Sequence, residues 1–273
     1  MNKKELLATL ESFGMRPGKI LGQNFLIDNN LLDFIVRTAS PEKDEIILEA
    51  GPGFGALTRP LLDAGAKVYA IEFDRRLCEY LRDNIKVPNF HLIEGDACRV
   101  NIAEIIPEGK KFRAIANLPY SISSIFTARL LELPNPPEQM VFMLQKEMAQ
   151  RLAAKPNTKD YGALSVRAQQ IYNVKLLRKV PPQVFHPQPQ VDSAIAGFTL
   201  REDHAVPSHE ERIRLAGVVK MVFAQRRKKI FKPLVSSYGK ENVETALEQL
   251  NISRDARPGE LSVAQYEELA KLL

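Results

Sequence analysis

From residue 46 to residue 144, short apolar runs alternate with segments whose apolar positions recur every three or four residues. The runs fall at 46–50, 67–72, 90–94, 112–117 and 139–144, each of strand length. Segments between them, such as 57–64, 76–85 and 122–131, carry helical spacing. A repeated strand-helix order is satisfied most economically by a parallel sheet covered on both faces, a doubly wound α/β domain. A basic helix is predicted over 146–154, and two further runs stand at 174–180 and 193–200. Between these two lies Pro181-Pro182-Gln183-Val184-Phe185-His186-Pro187-Gln188-Pro189-Gln190, whose prolines keep the loop extended. The polar stretch 201–208 reads as a linker, with Ser208 as the N-cap of a helix starting at 209. Beyond it only helical patterns recur, at 215–223, 246–250 and 263–273. The expected division is an α/β domain over 1–204 and a small helical domain over 205–273.

Composition narrows the class without naming a partner. The 273 residues carry a formal charge of +5, unevenly placed: −2 up to residue 138, +5 over 139–200 and +2 over 201–273. A neutral-to-acidic ligand-binding half joined to a polyanion-facing half shows this split, and so does a solvated basic face. Cys78 and Cys98 form no CxxC pair and read as inert thiols of a reducing compartment. His91, His186, His204 and His209 are scattered without an HxH or HxxxH pair, so no metal site is expected. No apolar run approaches the roughly 18 residues of a membrane span, and the N-terminal stretch reads as a cytoplasmic helix without an export signal.

Directly after the first run stands Glu49-Ala50-Gly51-Pro52-Gly53-Phe54-Gly55-Ala56, and Glu72 ends the second run. Glycines let a backbone turn tightly against a ligand, while a carboxylate at the second strand end can accept both ribose hydroxyls. The spelling fits S-adenosylmethionine, but Gly51-x-Gly53-x-x-Ala56 also fits a dinucleotide fingerprint, and a purely structural turn remains open. Asp96 in Gly95-Asp96-Ala97 can bond an adenine amino group with Ala97 leaving room for the ring, or can simply cap the next helix.

At the fourth strand end sits Asn117-Leu118-Pro119-Tyr120. Strand carboxyl ends line the ligand crevice of such sheets, so Asn117 is expected beside Gly51, Glu72 and Asp96. The exocyclic amine of adenine is a poor nucleophile because its lone pair is delocalised into the ring. Two acceptors gripping its N–H bonds, the Asn117 side-chain oxygen and the Leu118 carbonyl, can pyramidalise it. Pro119 would hold the turn and Tyr120 would offer a stacking face. The bland alternative is a strand-to-helix turn with Tyr120 in the core.

With these residues in view, the chain resembles the KsgA (RsmA) family of small-subunit rRNA adenine N6,N6-dimethyltransferases. The resemblance runs through Lys19-Ile20-Leu21-Gly22-Gln23-Asn24-Phe25-Leu26, the glycine loop, Ile71-Glu72-Phe73-Asp74, Gly95-Asp96-Ala97 and Asn117-Leu118-Pro119-Tyr120. It continues through Phe185-His186-Pro187-x-Pro189-x-Val191-Asp192-Ser193-Ala194 and Phe223-x-Gln225-Arg226-Arg227-Lys228. It implies a Rossmann-like class I methyltransferase domain with a mostly parallel seven-stranded sheet, plus a small C-terminal all-helical domain. The implied reaction carries methyl groups from S-adenosyl-L-methionine to N6 of two adjacent adenosines in the 3′-terminal hairpin loop of small-subunit rRNA. The implied partner is an assembling small ribosomal subunit, with no membrane and a monomer as default.

By the same resemblance Gln23, Asn24, Leu26, Gly51, Gly53, Glu72, Phe73, Asp96, Ala97 and Asn117 bind the cofactor. Asn24 and Leu26 line its methionine end, Glu72 its ribose and Asp96 its adenine. Phe185 is the implied second aromatic face, sandwiching an extruded adenine against Tyr120; read alone it is equally a core anchor. Gln225, Arg226, Arg227 and Lys228 are phosphate-contact candidates in a helical setting, or a solvated helix face. The continuation Lys229-Ile230-Phe231-Lys232-Pro233 departs from the family's usual pattern. Erm enzymes of large-subunit rRNA, a mitochondrial transcription-factor relative, a non-catalytic assembly factor and a dehydrogenase are the rival readings.

Overall fold

The computed structural model describes residues 3–14, 23–202 and 205–273. Lys19, Ile20, Leu21 and Gly22 of the first motif, and Asp203 and His204 at the expected boundary, lie outside the described residues. Helix α1 (Lys3–Ser12), strand β1 (Phe25–Leu26) and helix α2 (Asn29–Ala39) precede the main sheet. The expected alternation then begins: β2 (Ile46–Ala50), α3 (Thr58–Asp63), β3 (Lys67–Glu72), α4 (Arg75–Asn84), β4 (Phe90–Glu94) and α5 (Ile102–Ile105). It continues through β5 (Arg113–Asn117), α6 (Ser123–Glu132), β6 (Gln139–Gln145), α7 (Lys146–Leu152) and α8 (Ala163–Ile171). Three strands, β7 (Tyr172–Val180), β8 (Phe185–His186) and β9 (Ser193–Leu200), lead to α9 (His209–Phe223), α10 (Phe231–Tyr238), α11 (Lys240–Gln249) and α12 (Val263–Leu272).

Local chemistry explains the starts of several elements. Asp28 caps α2 by accepting from the Leu31 amide at 2.8 Å, and Asp74 caps α4 by accepting from the Arg76 amide at 3.0 Å. The expected cap at Ser208 forms as a capping box, its hydroxyl accepting from the Glu211 amide while the Glu211 carboxylate accepts from the Ser208 amide. Every residue of β2 is buried, as a strand covered on both faces requires.

The main sheet has the order β4-β3-β2-β5-β6-β9-β7. The chain runs outward from β2 through β3 to β4, then returns to β5 on the other side of β2 and continues to β6, all in parallel. That reversal opens a crevice above the carboxyl ends of β2 and β5. A second, two-stranded ladder, outside the sequence expectations, pairs Phe25 with His186 and Leu26 with Phe185. Within the proline-rich stretch, Pro182 starts one 3-10 turn before β8 instead of a wholly extended loop.

Contacts divide the chain into two compact units whose limits differ from the boundary expected at 204/205. One comprises Met1–Leu130, Pro137–Lys146 and Leu176–Phe198; the other comprises Leu131–Pro136, Glu147–Lys175 and Thr199–Leu273. In the first, α2 and α3 pack Leu31, Ile35 and Leu61 against Ile47, Val68, Ile115 and Ile195 of the sheet. The second is larger than the helical tail alone because α8 joins its core, where Tyr161 and Val166 cluster with Leu215, Val219, Leu234, Leu247 and Tyr266. Arg212 shows why 131–136 belongs there. The side chain is buried, and its guanidinium donates to the carbonyls of Leu131 and Pro134, each at 2.8 Å, and to that of Pro207 at 3.1 Å. A buried cation satisfied by fixed carbonyls ties segments distant in sequence that no periodicity connects.

Glu49, at the end of β2, lies in the interior, where the Thr58 hydroxyl donates to its carboxyl at 2.7 Å and so staples the base of the glycine loop to α3. Burial pushes this carboxyl up to about 8, against the Thr58 bond and with help from the nearby Glu72 charge. A carboxyl that holds its proton more tightly when folded lowers stability as pH rises from the unfolded value near 4.5 through about 8. Urea unfolding of Glu49→Gln across pH 5 to 9 is therefore expected to match the parent chain near pH 5 and to show the greater stability near pH 9. Parallel curves would refute the assignment.

Candidate active site

Four loops at the carboxyl ends of β2, β3, β4 and β5 meet in one pocket. The first is the glycine loop. Gly51 and Gly53 have φ of +70° and +59°, the left-handed region that a side chain disfavours. A Cβ on Gly51 would stand 3.0 Å from the Pro119 ring, and one on Gly53 3.2 Å from the Phe25 ring. Thus the glycine loop and the Asn117 loop touch, and neither has room to move toward the other.

Glu72 ends β3 almost fully buried, with both carboxyl oxygens engaged. Oε1 accepts from the Phe73 and Asp74 amides, each at 2.9 Å, and Oε2 from the Gly53 amide at 3.2 Å. Burial raises its pKa, and the three amides offset only part of that rise. Of the roughly four acceptor positions on a carboxylate, about one remains for a ligand hydroxyl, fewer than the two ribose bonds expected. Phe73 comes next with its ring largely exposed at the pocket, a flat apolar surface beside the carboxylate. For Asp74 burial acts upward, but bonds from Gln23 (3.1 Å) and Arg76 outweigh it and hold the carboxyl below its ordinary range.

At the end of β4, Asp96 lines the pocket while serving the turn: its Oδ1 accepts from the Cys98 amide at 2.8 Å and its Oδ2 pairs with Arg99 at 3.4 Å. The capping and ligand-facing alternatives are therefore both compatible with one placement. Ala97 lines the same wall.

At the end of β5, Asn117 Nδ2 donates to the Asn24 carbonyl at 3.3 Å, which turns its Oδ1 away as an acceptor. No described residue donates to Asn117 Oδ1 or to the Leu118 carbonyl oxygen, although Asn117 and Leu118 both line the pocket. The turn itself is rigid: the Ile122 amide donates to Pro119 O and the Ser123 hydroxyl to Tyr120 O, both at 3.1 Å. Tyr120 lines the pocket half-buried.

The residues nominated from sequence for the cofactor, Gln23, Asn24, Leu26, Gly51, Gly53, Glu72, Phe73, Asp96, Ala97 and Asn117, thus converge with Leu118, Pro119 and Tyr120. Phe185 does not join them. It is 1% exposed, its strand pairs with β1, and it packs in the core with Leu26 and Leu31. In this structure it is the core anchor, with no free face for a base. Sequence reading also passed over Phe54 and Leu6. The Phe54 ring packs 5.1 Å from Phe25 and 4.9 Å from Tyr80, and Leu6 brings α1 to the pocket wall. Their apolar character signalled burial and nothing more.

The basic run lies in a turn after α9, not in a helix. The Arg226 guanidinium leaves that run to bond the carbonyls of Thr158 and Lys159, and the buried Ile230 donates its amide to Ala256 O. These anchors bend the chain. Lys229 pairs with Asp255 at 2.6 Å, while Gln225, Arg227 and Lys228 are exposed, and neither Arg227 nor Lys228 has a described charge partner. Among the described residues no cluster of His, Cys, Asp and Glu could hold a metal ion, and no helix is long and apolar enough to cross a membrane.

A small-residue cradle, a buried strand-end acid and an exposed aromatic face fit an adenine nucleoside with a compact tail, the shape of S-adenosylmethionine. Comparison with known proteins agrees. A family model described as ribosomal RNA adenine dimethylase matches residues 16–273. "Ribosomal RNA small subunit methyltransferase A" of Alkaliphilus metalliredigens is 39% identical over 271 residues, covering 97% of this chain and 94% of the relative. The protein of the same name from Clostridium acetobutylicum is 38% identical, covering 96% and 95%. Among solved structures, the 23S rRNA methyltransferase ErmE is 29% identical with a TM-score of 0.65, covering 92% of this chain and 99% of that one. A dimethyladenosine transferase from Plasmodium falciparum shares the fold at a TM-score of 0.75 and 24% identity, covering 90% and 95%. With its S-adenosylmethionine-type pocket and this match along nearly its whole length, the chain belongs to the ribosomal RNA adenine dimethylase family.

Proposed function

We propose that this enzyme dimethylates N6 of two adjacent adenosines in the 3′-terminal hairpin loop of small-subunit rRNA, acting as a cytoplasmic monomer on an assembling small subunit. The observation that carries the reading is the pair of unused acceptors, Asn117 Oδ1 and the Leu118 carbonyl, on a rigid turn against the cofactor loop. The small subunit is favoured because relatives at 38–39% identity bear that name, whereas the large-subunit methyltransferase ErmE is 29% identical.

In the proposed mechanism Gly51, Gly53, Glu72, Phe73, Asp96 and Ala97 hold the nucleoside, and Gln23, Asn24 and Leu26 border its tail. S-adenosylmethionine, when bound, supplies a methyl group already activated by its positive sulfur, so no side-chain nucleophile is required. Asn117 Oδ1 and Leu118 O accept the two N6 protons of adenine, withdrawing the nitrogen lone pair from the ring and aiming it. Asn24 fixes the polarity of that grip, because its carbonyl occupies Asn117 Nδ2 and forces Oδ1 toward the substrate. Pro119 limits rotation of the turn, and Tyr120 offers its ring to the base. Alignment is the catalytic contribution of these groups. In the second compact unit, Arg227 and Lys228 with Gln225 form the proposed phosphate contact, while Arg226 acts as the anchor that presents them.

Three experiments test this. Purified protein is incubated with labelled S-adenosylmethionine and either small subunits lacking the modification, large subunits or free rRNA, and products are mapped by mass spectrometry. Dimethyladenosine is expected at the paired loop adenines of the small subunit; label in large-subunit rRNA instead would overturn the substrate assignment. Asn117→Ala is expected to bind cofactor within a few-fold of the parent by calorimetry yet to lose about 100-fold or more in transfer, because the lost acceptor acts near the transition state. Full transfer would sink the amine-gripping mechanism. Charge reversal at Arg227 and Lys228 is expected to weaken subunit binding and to reduce the slope of log affinity against log salt by about two; an unchanged slope would leave them a solvated face.

A further inference from the structure

The start of β9 presents a side chain that burial alone does not explain. Residues Ser193 through Phe198 are all buried, and five of these six positions are apolar or glycine; the first carries a hydroxyl and is 0% exposed. A buried hydroxyl without a partner is costly, so its bond identifies what the position is for. Its described side-chain partner is the Tyr120 hydroxyl, 2.5 Å away. The two residues are 73 positions apart and belong to the same compact unit.

This contact fixes the end of Tyr120 that the Asn117 turn cannot reach. The main chain of Tyr120 is held by the Ser123 hydroxyl, and Pro119 restricts the preceding residue. The distal end of the ring is otherwise free to swing about its side-chain torsions. Ser193 is itself anchored: the neighbouring Asp192 accepts from the Lys146 amide at 3.0 Å through its carbonyl and pairs with Lys146 Nζ at 3.4 Å through its carboxylate. The hydroxyl therefore hangs from the junction of β6 and β9, two adjacent strands of the sheet.

We infer that Ser193 is a positioning residue for base capture: bonded to the Tyr120 hydroxyl from the fixed start of β9, it holds the tyrosine ring at one angle to the pocket. A tethered ring presents its face to an incoming adenine without first giving up torsional freedom, so the bond acts on alignment and leaves cofactor binding alone. The inference rests on the reading that Tyr120 stacks on the target base.

The test uses the full chain with S-adenosylmethionine and small subunits lacking dimethyladenosine, comparing Ser193→Ala, Tyr120→Phe, the double variant and Tyr120→Ala. Ser193→Ala and Tyr120→Phe remove the same bond from opposite sides. Each is expected to lower transfer by about fivefold to tenfold, the effect of one hydrogen bond, with cofactor affinity within about twofold of the parent. The double variant is expected to be no worse than either single one, because the bond can be lost only once. A general loss of packing at Ser193 would instead add to the Tyr120→Phe effect and would lower cofactor affinity as well. Additive losses, or parental transfer by Tyr120→Phe, overturn the inference even if Ser193→Ala fails to fold. Parental transfer by Tyr120→Ala would mean that the stacking reading itself is wrong, whereas an inactive Tyr120→Ala beside a fully active Tyr120→Phe would remove only the role of Ser193.

Discussion

The packing of Gly51 against Pro119 is the contact on which the site turns. At the point where the strand order reverses, the loops leaving β2 and β5 must pass side by side, and a Cβ at Gly51 would lie 3.0 Å from the proline ring. One loop has the features of a nucleoside cradle and the other those of an amine grip. Their mutual contact sets the distance between the bound methyl donor and the methyl acceptor, the quantity that a reaction catalysed by alignment has to control. A glycine with φ of +70° is needed for the cradle, and a proline for the grip, so each loop uses the residue least able to be replaced by the other.

Around this contact the polar groups are arranged by saturation. Glu72 is nearly saturated by three backbone amides, and Asp74 is held by Gln23 and Arg76. Asn117 differs: one end of its amide is occupied by Asn24 O and the other is not. In an interior where most polar atoms are paired, an acceptor pair left open at a pocket wall marks where a ligand donor belongs. The same reasoning distinguishes the basic residues after α9. Arg226 and Lys229 spend their charges on Thr158, Lys159 and Asp255, while Arg227 and Lys228 keep theirs toward solvent.

Tyr120 and Phe185 illustrate how equal sequence signals part company. Both stand in stiff, proline-containing segments and both resemble base-stacking residues. Tyr120 stands at a strand end over the crevice and carries a hydroxyl that finds Ser193. Phe185 stands in a strand that pairs with β1, so its ring turns inward among Leu26 and Leu31. Pairing partners are long-range information, and neither residue's neighbours in sequence contain it.

The sequence by itself determined the strand-helix alternation, because burial on both faces requires short apolar runs and these are visible without coordinates. It also determined the chemical identity of the cofactor loop and of the Asn117 turn, since glycine, proline and strand-end carboxylates act through local backbone geometry. The cap at Ser208 was legible for the same reason. What only the tertiary structure decided depends on residues far apart: the β1–β8 ladder that turns Phe185 inward, the polarity of the Asn117 amide set by Asn24, and the bond between Ser193 and Tyr120. The division into compact units was decided at that level too, because Arg212 captures carbonyls about 80 residues earlier in the chain. Periodicity reports which faces are buried, but a hydrogen bond between distant segments leaves no period in the sequence.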